Sequence, residues 1–400
     1  MYPKTIILDI ETDSTRVSRA NPKFYGIYIP DSDRTIISAD FADIEPYLRN
    51  AQYIVGYNII DYDIPIIERV TGFSFMYKNK LDLYRIIKKR EPIMTVKFKN
   101  YKLETVCKVF DLNDKKIEDF DYNILKKDIK ELTFLEINTI KKYLFQDLKI
   151  TFQLYDYLEK YFDSLKEYLN EEDIRKKKYL TTTSGAYAYK AICNIAGLPE
   201  VYMEVEEEES YKGGFVLEPT GEEFHGNMVC MDFASLYPNI FIQANLFTPA
   251  HNCKHKVDGQ CPNAWSGGGF YDVQGRYCSC ELGIIEKALK RLYSLRVEYK
   301  KNNDPRQYSI KIIINTMYGI SKSERFKSIF YLYTAKDCCT IGRKCVQTAI
   351  NMYRSDGFEV VYADTDSCYC IIPEGKTKED LLKTRDRIIE ELQKHFVFPW

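Results

Sequence analysis

Two acids spaced two apart at the end of an apolar run constrain this chain more than any other feature. Thr5-Ile6-Ile7-Leu8-Asp9-Ile10-Glu11 has the pattern of a buried strand. Alternate residues of a strand leave the same face, so Asp9 and Glu11 are neighbours. A buried sheet does not hold two carboxylates side by side without a cation. Hard divalent ions such as Mg²⁺ take oxygens of this kind. Apolar and helical segments then alternate up to about Tyr161, as in an α/β unit.

Further acids follow apolar runs. Asn58-Ile59-Ile60-Asp61-Tyr62-Asp63 brings two, and Tyr143-Leu144-Phe145-Gln146-Asp147 puts Tyr143 and Asp147 on one helical face. The second half repeats the theme. A strand pattern, Met228 to Asp232, runs into Phe233-Ala234-Ser235-Leu236-Tyr237-Pro238. Glu359–Tyr362 and Cys368–Ile372 predict a β-hairpin, with Ala363-Asp364-Thr365-Asp366-Ser367 at its turn. Between these lies a predicted helical hairpin of about residues 283–302 and 305–322, with Asp304 as N-cap and Pro305 first in its helix. On the second helix Lys311, Asn315 and Tyr318 fall at i, i+4 and i+7, one stripe.

Four hundred residues exceed one ordinary core, so two or three domains are expected. Lys+Arg 57 against Asp+Glu 58 excludes a histone-like polycation but not an enzyme that gathers basic residues in one cleft. The charged stretch Asp163–Lys178 reads as a connector, and Glu206–Glu209 as solvated surface. No membrane span or secretory signal is apparent. The chain therefore reads as intracellular, in cytoplasm, nucleoid or a virus-infected cell. Its twelve cysteines read as reduced thiols. Five side chains stand apart: Cys253, His255, Cys261, Cys278 and Cys280 could ligate Zn²⁺, but without the usual Cys-x-x-Cys pairs free thiols are the ordinary reading.

In order, the first acids resemble the three motifs of DEDD-type 3′–5′ exonucleases, in the subtype with a tyrosine in the third motif. The resemblance maps Asp9, Glu11, Asp63 and Asp147 to metal ligands and gives Tyr143 the orienting of a water. Asp61 is the alternative to Asp63, and the Asn-x-x-x-aromatic-Asp spacing favours Asp63. The later segments resemble motifs A, B and C of family B DNA polymerases. Asp232 and Asp366 would hold two Mg²⁺ ions with Asp364 beside them. Ala363 stands where the family usually has glycine, a small change if its φ is negative. By the same resemblance Arg296, Lys300 and Lys311 would clasp the triphosphate of a dNTP, with Ser235, Leu236 and Asn315 around the nucleotide. Tyr237 would exclude a 2′-OH and Tyr318 would line the nascent base pair. Tyr211-Lys212-Gly213-Gly214 resembles the family's Tyr-x-Gly-Gly segment, expected to approach template phosphates.

The resemblance implies a multidomain α/β and α+β architecture, with an RNase H-like exonuclease domain followed by an antiparallel-sheet palm carrying a helical fingers hairpin. The expected boundaries are 1–165 exonuclease, 166–228 connector and start of palm, 229–282 palm with the Cys-rich loop, 283–322 fingers and 323–400 palm. The family's thumb is expected beyond Trp400, which makes the chain a fragment or one part of a split polymerase. Its partners would be primer–template DNA, dNTPs, and a sliding clamp or a separate thumb polypeptide, with no membrane. Only 72 residues separate Pro238 from Lys311, which favours a nucleic-acid-primed enzyme over a protein-primed one. The expected function is DNA-directed DNA synthesis in replication with 3′–5′ proofreading. The alternatives are an exonuclease alone and a DNA-binding fragment.

Overall fold

The computed structural model describes residues 4–94, 96–112, 120–204, 213–219, 221 and 223–399. Two compact units divide between Thr183 and Ser184. Among the described residues, no helix is long and apolar enough to cross a membrane.

The first unit is built on strands β1 (Thr5–Thr12), β2 (Pro22–Ile29), β3 (Arg34–Ser38), β4 (Tyr53–Gly56) and β5 (Asn79–Asp82). They form one sheet in the order β3-β2-β1-β4-β5. β2 pairs antiparallel with both β1 and β3, and β4 and β5 run parallel to β1. Its helices are α1 (Glu45–Asn50), α2 (Asp63–Thr71), α3 (Leu83–Arg90), α4 (Leu103–Val109), α5 (Phe134–Tyr161), α6 (Glu171–Arg175) and α7 (Lys178–Thr181). β1 is central and buried on both faces, which is why it reads as a continuous apolar run. Ile6, Leu8 and Ile10 join Leu48 of α1 and Ile64, Ile66 and Ile67 of α2 in one core.

The opposite face of β1 meets α5, whose start is fixed by a capping box between Thr133 and Glu136. Gly26 lies directly across from Asp9 on β2. A Cβ there would come within 2.8 Å of Leu144 Cγ, so the bare backbone lets α5 lie close to the acid-bearing face.

The second unit carries a four-stranded antiparallel sheet, β6 (Val216–Leu217), β7 (Asn227–Asp232), β10 (Glu359–Asp364) and β11 (Ser367–Ile372), in the order β6-β10-β11-β7. A separate two-residue ladder pairs β8 (Ala264–Trp265) with β9 (Tyr277–Cys278). The helices are α8 (Ser184–Ala196), α9 (Leu236–Gln243), α10 (Ile284–Lys301), α11 (Gln307–Ser321), α12 (Thr334–Ser355) and α13 (Lys378–Gln393). α10 and α11 are the hairpin read from the sequence. α11 is regular from Gln307, and its entry turn is capped as the sequence suggested: the Asp304 carboxylate accepts from the Arg306 N–H at 2.9 Å, and the Asp304 and Pro305 carbonyls accept from the N–H groups of Gln307 and Tyr308.

Candidate active sites

In the first unit the sequence-predicted acids converge. One oxygen each of Asp9, Glu11 and Asp147 lie within 4.8 Å of one another, and Glu11 and Asp147 are 8% and 5% exposed. The strand period aligns Asp9 with Glu11, and α5 delivers Asp147 across the gap that Gly26 leaves. Asp63, first residue of α2, accepts from the Ile10 N–H at 3.1 Å and is hydrogen-bonded to Asp9. Burial pushes its pKa up, the negative charge of Asp82 adding to this against hydrogen bonds that lower it. Asp61 points elsewhere, into an ion pair with Arg85 on the surface.

Tyr143 is buried one helical turn before Asp147. Its ring stacks on Phe120, centroids 4.1 Å apart, and its hydroxyl is 2.8 Å from that of Tyr122. Burial and then the Asp147 carboxylate raise its pKa. Asp82, which the sequence reading passed over, organises the turn that presents Asp63. It accepts from the N–H groups of Asn58, Ile60 and Arg85 at 3.1, 3.0 and 3.2 Å, and is the N-cap of α3. An aspartate directly before Leu-Tyr-Arg-Ile-Ile was the available signal.

In the second unit the acids form a row across three adjacent strands. Asp232 on β7 faces Ser367 on β11, and Ser367 faces Asp364 on β10. Asp366 sits in the turn between, its carbonyl accepting from the Phe233 N–H at 2.8 Å. Burial, then the charges of Asp232 and Asp364, raise the Asp366 pKa. Asp232 and Asp364 are exposed. As a trio these acids are not gathered within 4.8 Å as Asp9, Glu11 and Asp147 are. Thr365 takes a left-handed φ of 53° at the tip, and Ala363 is not among the positive-φ residues, so its side chain costs the hairpin no strain.

The nucleotide-side residues fall into two groups. Arg296 of α10 donates to Ser235 Oγ at 3.2 Å, joining the helical hairpin to the turn after Asp232. Tyr237 and Tyr318 lie ring to ring with centroids 4.8 Å apart, and the Cys339 sulfur lies between their hydroxyls, at 3.7 and 3.2 Å. Leu236 is buried at the start of α9. Lys300, Lys311 and Asn315 are exposed, the last two on the outer stripe of α11 with Tyr318.

Tyr211 and Lys212 lie outside the described residues. Gly213 accepts from Arg343 at 2.7 Å, and a Cβ on Gly214 would come within 2.8 Å of Thr365 Oγ1. The bare Gly214 thus makes room for the acid-bearing turn itself. The twin glycines were expected to serve a bound phosphate backbone.

Both acid sets suit hard cations: every donor is a carboxylate oxygen, and in the first unit two of the three clustered acids are buried together. Comparison with known proteins points the same way. The family model described as DNA polymerase family B matches residues 196–399. A DNA polymerase of Archaeoglobus fulgidus is 31% identical over 201 residues, covering 47% of this chain and 24% of the relative. The DNA polymerase delta catalytic subunit of Plasmodium falciparum is 24% identical over 416 residues, covering 87% of this chain and 37% of the relative. The chain thus matches well under half the length of these relatives. Among solved structures, the family B DNA polymerase of Pyrobaculum calidifontis has a similar fold, with a TM-score of 0.62 at 20% identity over 98% of this chain and 55% of that one.

Proposed function

The chain belongs to DNA polymerase family B, and from that premise we propose that it adds dNTPs to a primer 3′ end and removes mispaired ends with a 3′–5′ exonuclease, in DNA replication. The observation that carries this reading is the presence of two separate carboxylate sets in one chain, at Asp9/Glu11/Asp147 and at Asp232/Asp364/Asp366. In the synthesis site Asp232 and Asp366 would hold divalent ions, with Asp364 beside them. In the nuclease site Asp9, Glu11, Asp63 and Asp147 would do so. Such ions activate the attacking hydroxyl or water and stabilise charge on the leaving oxygen.

The chain's own residues then do the positioning. Arg296, held at Ser235, sets one positive charge beside the turn after Asp232, and Lys300 and Lys311 are the further cations for a triphosphate. The Tyr237–Tyr318 pair forms an aromatic wall suited to packing under a sugar and beside a base pair. Tyr143 would orient the water in the nuclease, its ring fixed by Phe120. The sheet order β3-β2-β1-β4-β5, three antiparallel strands followed by two parallel ones, supports reading the first unit as RNase H-like. The four-stranded antiparallel sheet supports reading the second as a palm, with α10 and α11 as fingers.

A second reading, an exonuclease without synthesis, is favoured by the tighter gathering of the first acid set. One assay separates the readings. The chain is incubated with an end-labelled primer–template and Mg²⁺, with and without dNTPs. Extension with dNTPs and shortening without them is the expected result. Shortening under both conditions leaves only the nuclease, and no change under either contradicts both activities.

A further inference from the structure

We propose that Cys253, Cys261, Cys278 and Cys280 hold one structural zinc ion that fastens the loop between α9 and α10. This goes beyond the polymerase reading and does not depend on it. From the sequence the thiols could equally have been scattered; folding gathers them. Cys253, His255 and Cys278 offer ligand atoms within 4.8 Å of one another, and so do Cys261, Cys278 and Cys280, with Cys278 common to both groups. The sulfurs of Cys261 and Cys280 are 3.8 Å apart. Four thiolates around zinc at about 2.3 Å define a tetrahedron with an edge of about 3.8 Å, the spacing of the Cys261–Cys280 pair.

Backbone amides are turned toward these sulfurs. The N–H groups of His255 and Lys256 bond Cys253, that of Asn263 bonds Cys261, and that of Cys280 reaches Cys278 Sγ at 3.4 Å. Three of the four cysteines thus accept from an amide two residues on. That arrangement stabilises a thiolate and serves as the outer support of a bound one. His255 Nδ1, 3.7 Å from Cys278 Sγ, is placed to hydrogen-bond the same sulfur. An all-sulfur set selects zinc over the hard ions that the carboxylates suit. Sulfurs this close surround a single ion rather than the several metal centres of an iron–sulfur cluster.

Elsewhere the loop is held by Arg276 and Tyr277 on the Asp337 carboxylate and by the burial of Tyr271 and Val273. Around the thiols the apolar cluster consists of Ala250 and the cysteines themselves, and the adjoining ladder is two residues long, so a staple has most to add at this end of the loop. The staple would act on the fingers: Asn245, just past α9, donates to the carbonyls of Cys278 and Glu281 at 2.7 and 3.0 Å and accepts from the Gly283 N–H at the start of α10.

The full chain, purified under reducing conditions, is analysed for metal by native mass spectrometry and elemental analysis, then exchanged with Co²⁺. The proposal predicts about one zinc per chain and, with cobalt, the intense visible bands of a tetrahedral thiolate site. Cys261→Ser and Cys280→Ser should cut bound zinc at least about tenfold, while Cys230→Ser, outside the cluster, keeps it. If the serine variants fail to fold, the mass of the wild-type chain decides alone. A metal-free chain with a weak, octahedral cobalt spectrum would overturn the proposal. So would bound iron with a brown chromophore, or a Cys261–Cys280 disulfide in place of the metal.

Discussion

In the first unit Asp9, Glu11 and Asp147 stand within 4.8 Å of one another and two of them are almost wholly buried, whereas in the second Asp232 and Asp364 lie open to solvent across three strands. Burial makes the first set repulsive when no cation is present, because like charges out of water cannot screen one another. Exposure leaves the second set in contact with water, which screens its charges without a bound cation. A third arrangement shows what a buried acid does without a companion acid. Glu286 at the start of α10 is fully buried, accepts from the Phe247 N–H at 2.6 Å, lies 3.2 Å from the Thr248 hydroxyl, and is pushed by burial up to about 7. Burial favours its protonated form up to about pH 7.

Breaking one set should spare the other. Asp366→Ala is expected to lower primer extension by at least about 10²–10³-fold while single-strand degradation persists, and Asp9→Ala to do the reverse. Gel assays of both activities on both variants check this; loss of both activities in either variant would mean the sites are not independent.

The solitary acid sharpens the contrast through pH. Glu286 titrates near 7 in the fold and near 4.5 when unfolded. Its folded pKa is the higher one, so its stabilising contribution is complete below about 4.5 and fades as pH rises through about 7. The gap corresponds to about 3 kcal/mol. Glu286→Gln should therefore stabilise the chain at pH 8 and much less at pH 5, as read by denaturant melts at both pH values.

Mg²⁺ should tell the two acid sets apart without DNA. At about 100 times its Kd an ion bound only to the folded state adds about 2.7 kcal/mol, and most of that gain should vanish in Asp147→Asn but survive in Asp364→Asn. Thermal melts with and without Mg²⁺ measure it. The smallest effect is expected at Tyr143→Phe. Losing the bond to Tyr122 should cost about 1 kcal/mol and slow the nuclease by about tenfold, with primer extension unchanged.

Much of both sites was legible because strand period and helix period fix which acids share a face. Asp9 with Glu11, and Tyr143 with Asp147, needed only those periods. Of the two acids after Asn58, Asp61 pairs with Arg85 and Asp63 meets the Ile10 N–H and Asp9. What was not legible depended on contacts far apart in sequence. Arg296 and Ser235 are 61 residues apart and Cys339 meets Tyr237 across 102. The capped entry to α11 was legible, because Asp304 before Pro305 is a local signal and its carboxylate does accept from the Arg306 N–H. The gathering of the cysteines rests on a two-residue ladder, too short to leave a period.

The most direct test of two independent carboxylate sites is a count of bound Mn²⁺ by electron paramagnetic resonance, on the wild-type chain without DNA and on Asp9→Ala and Asp366→Ala. The expected result is a tighter class of ion that Asp9→Ala abolishes and Asp366→Ala leaves intact, above a weaker class with the opposite dependence. A single class lost in both variants, or a tighter class that depends on Asp366, would contradict the account.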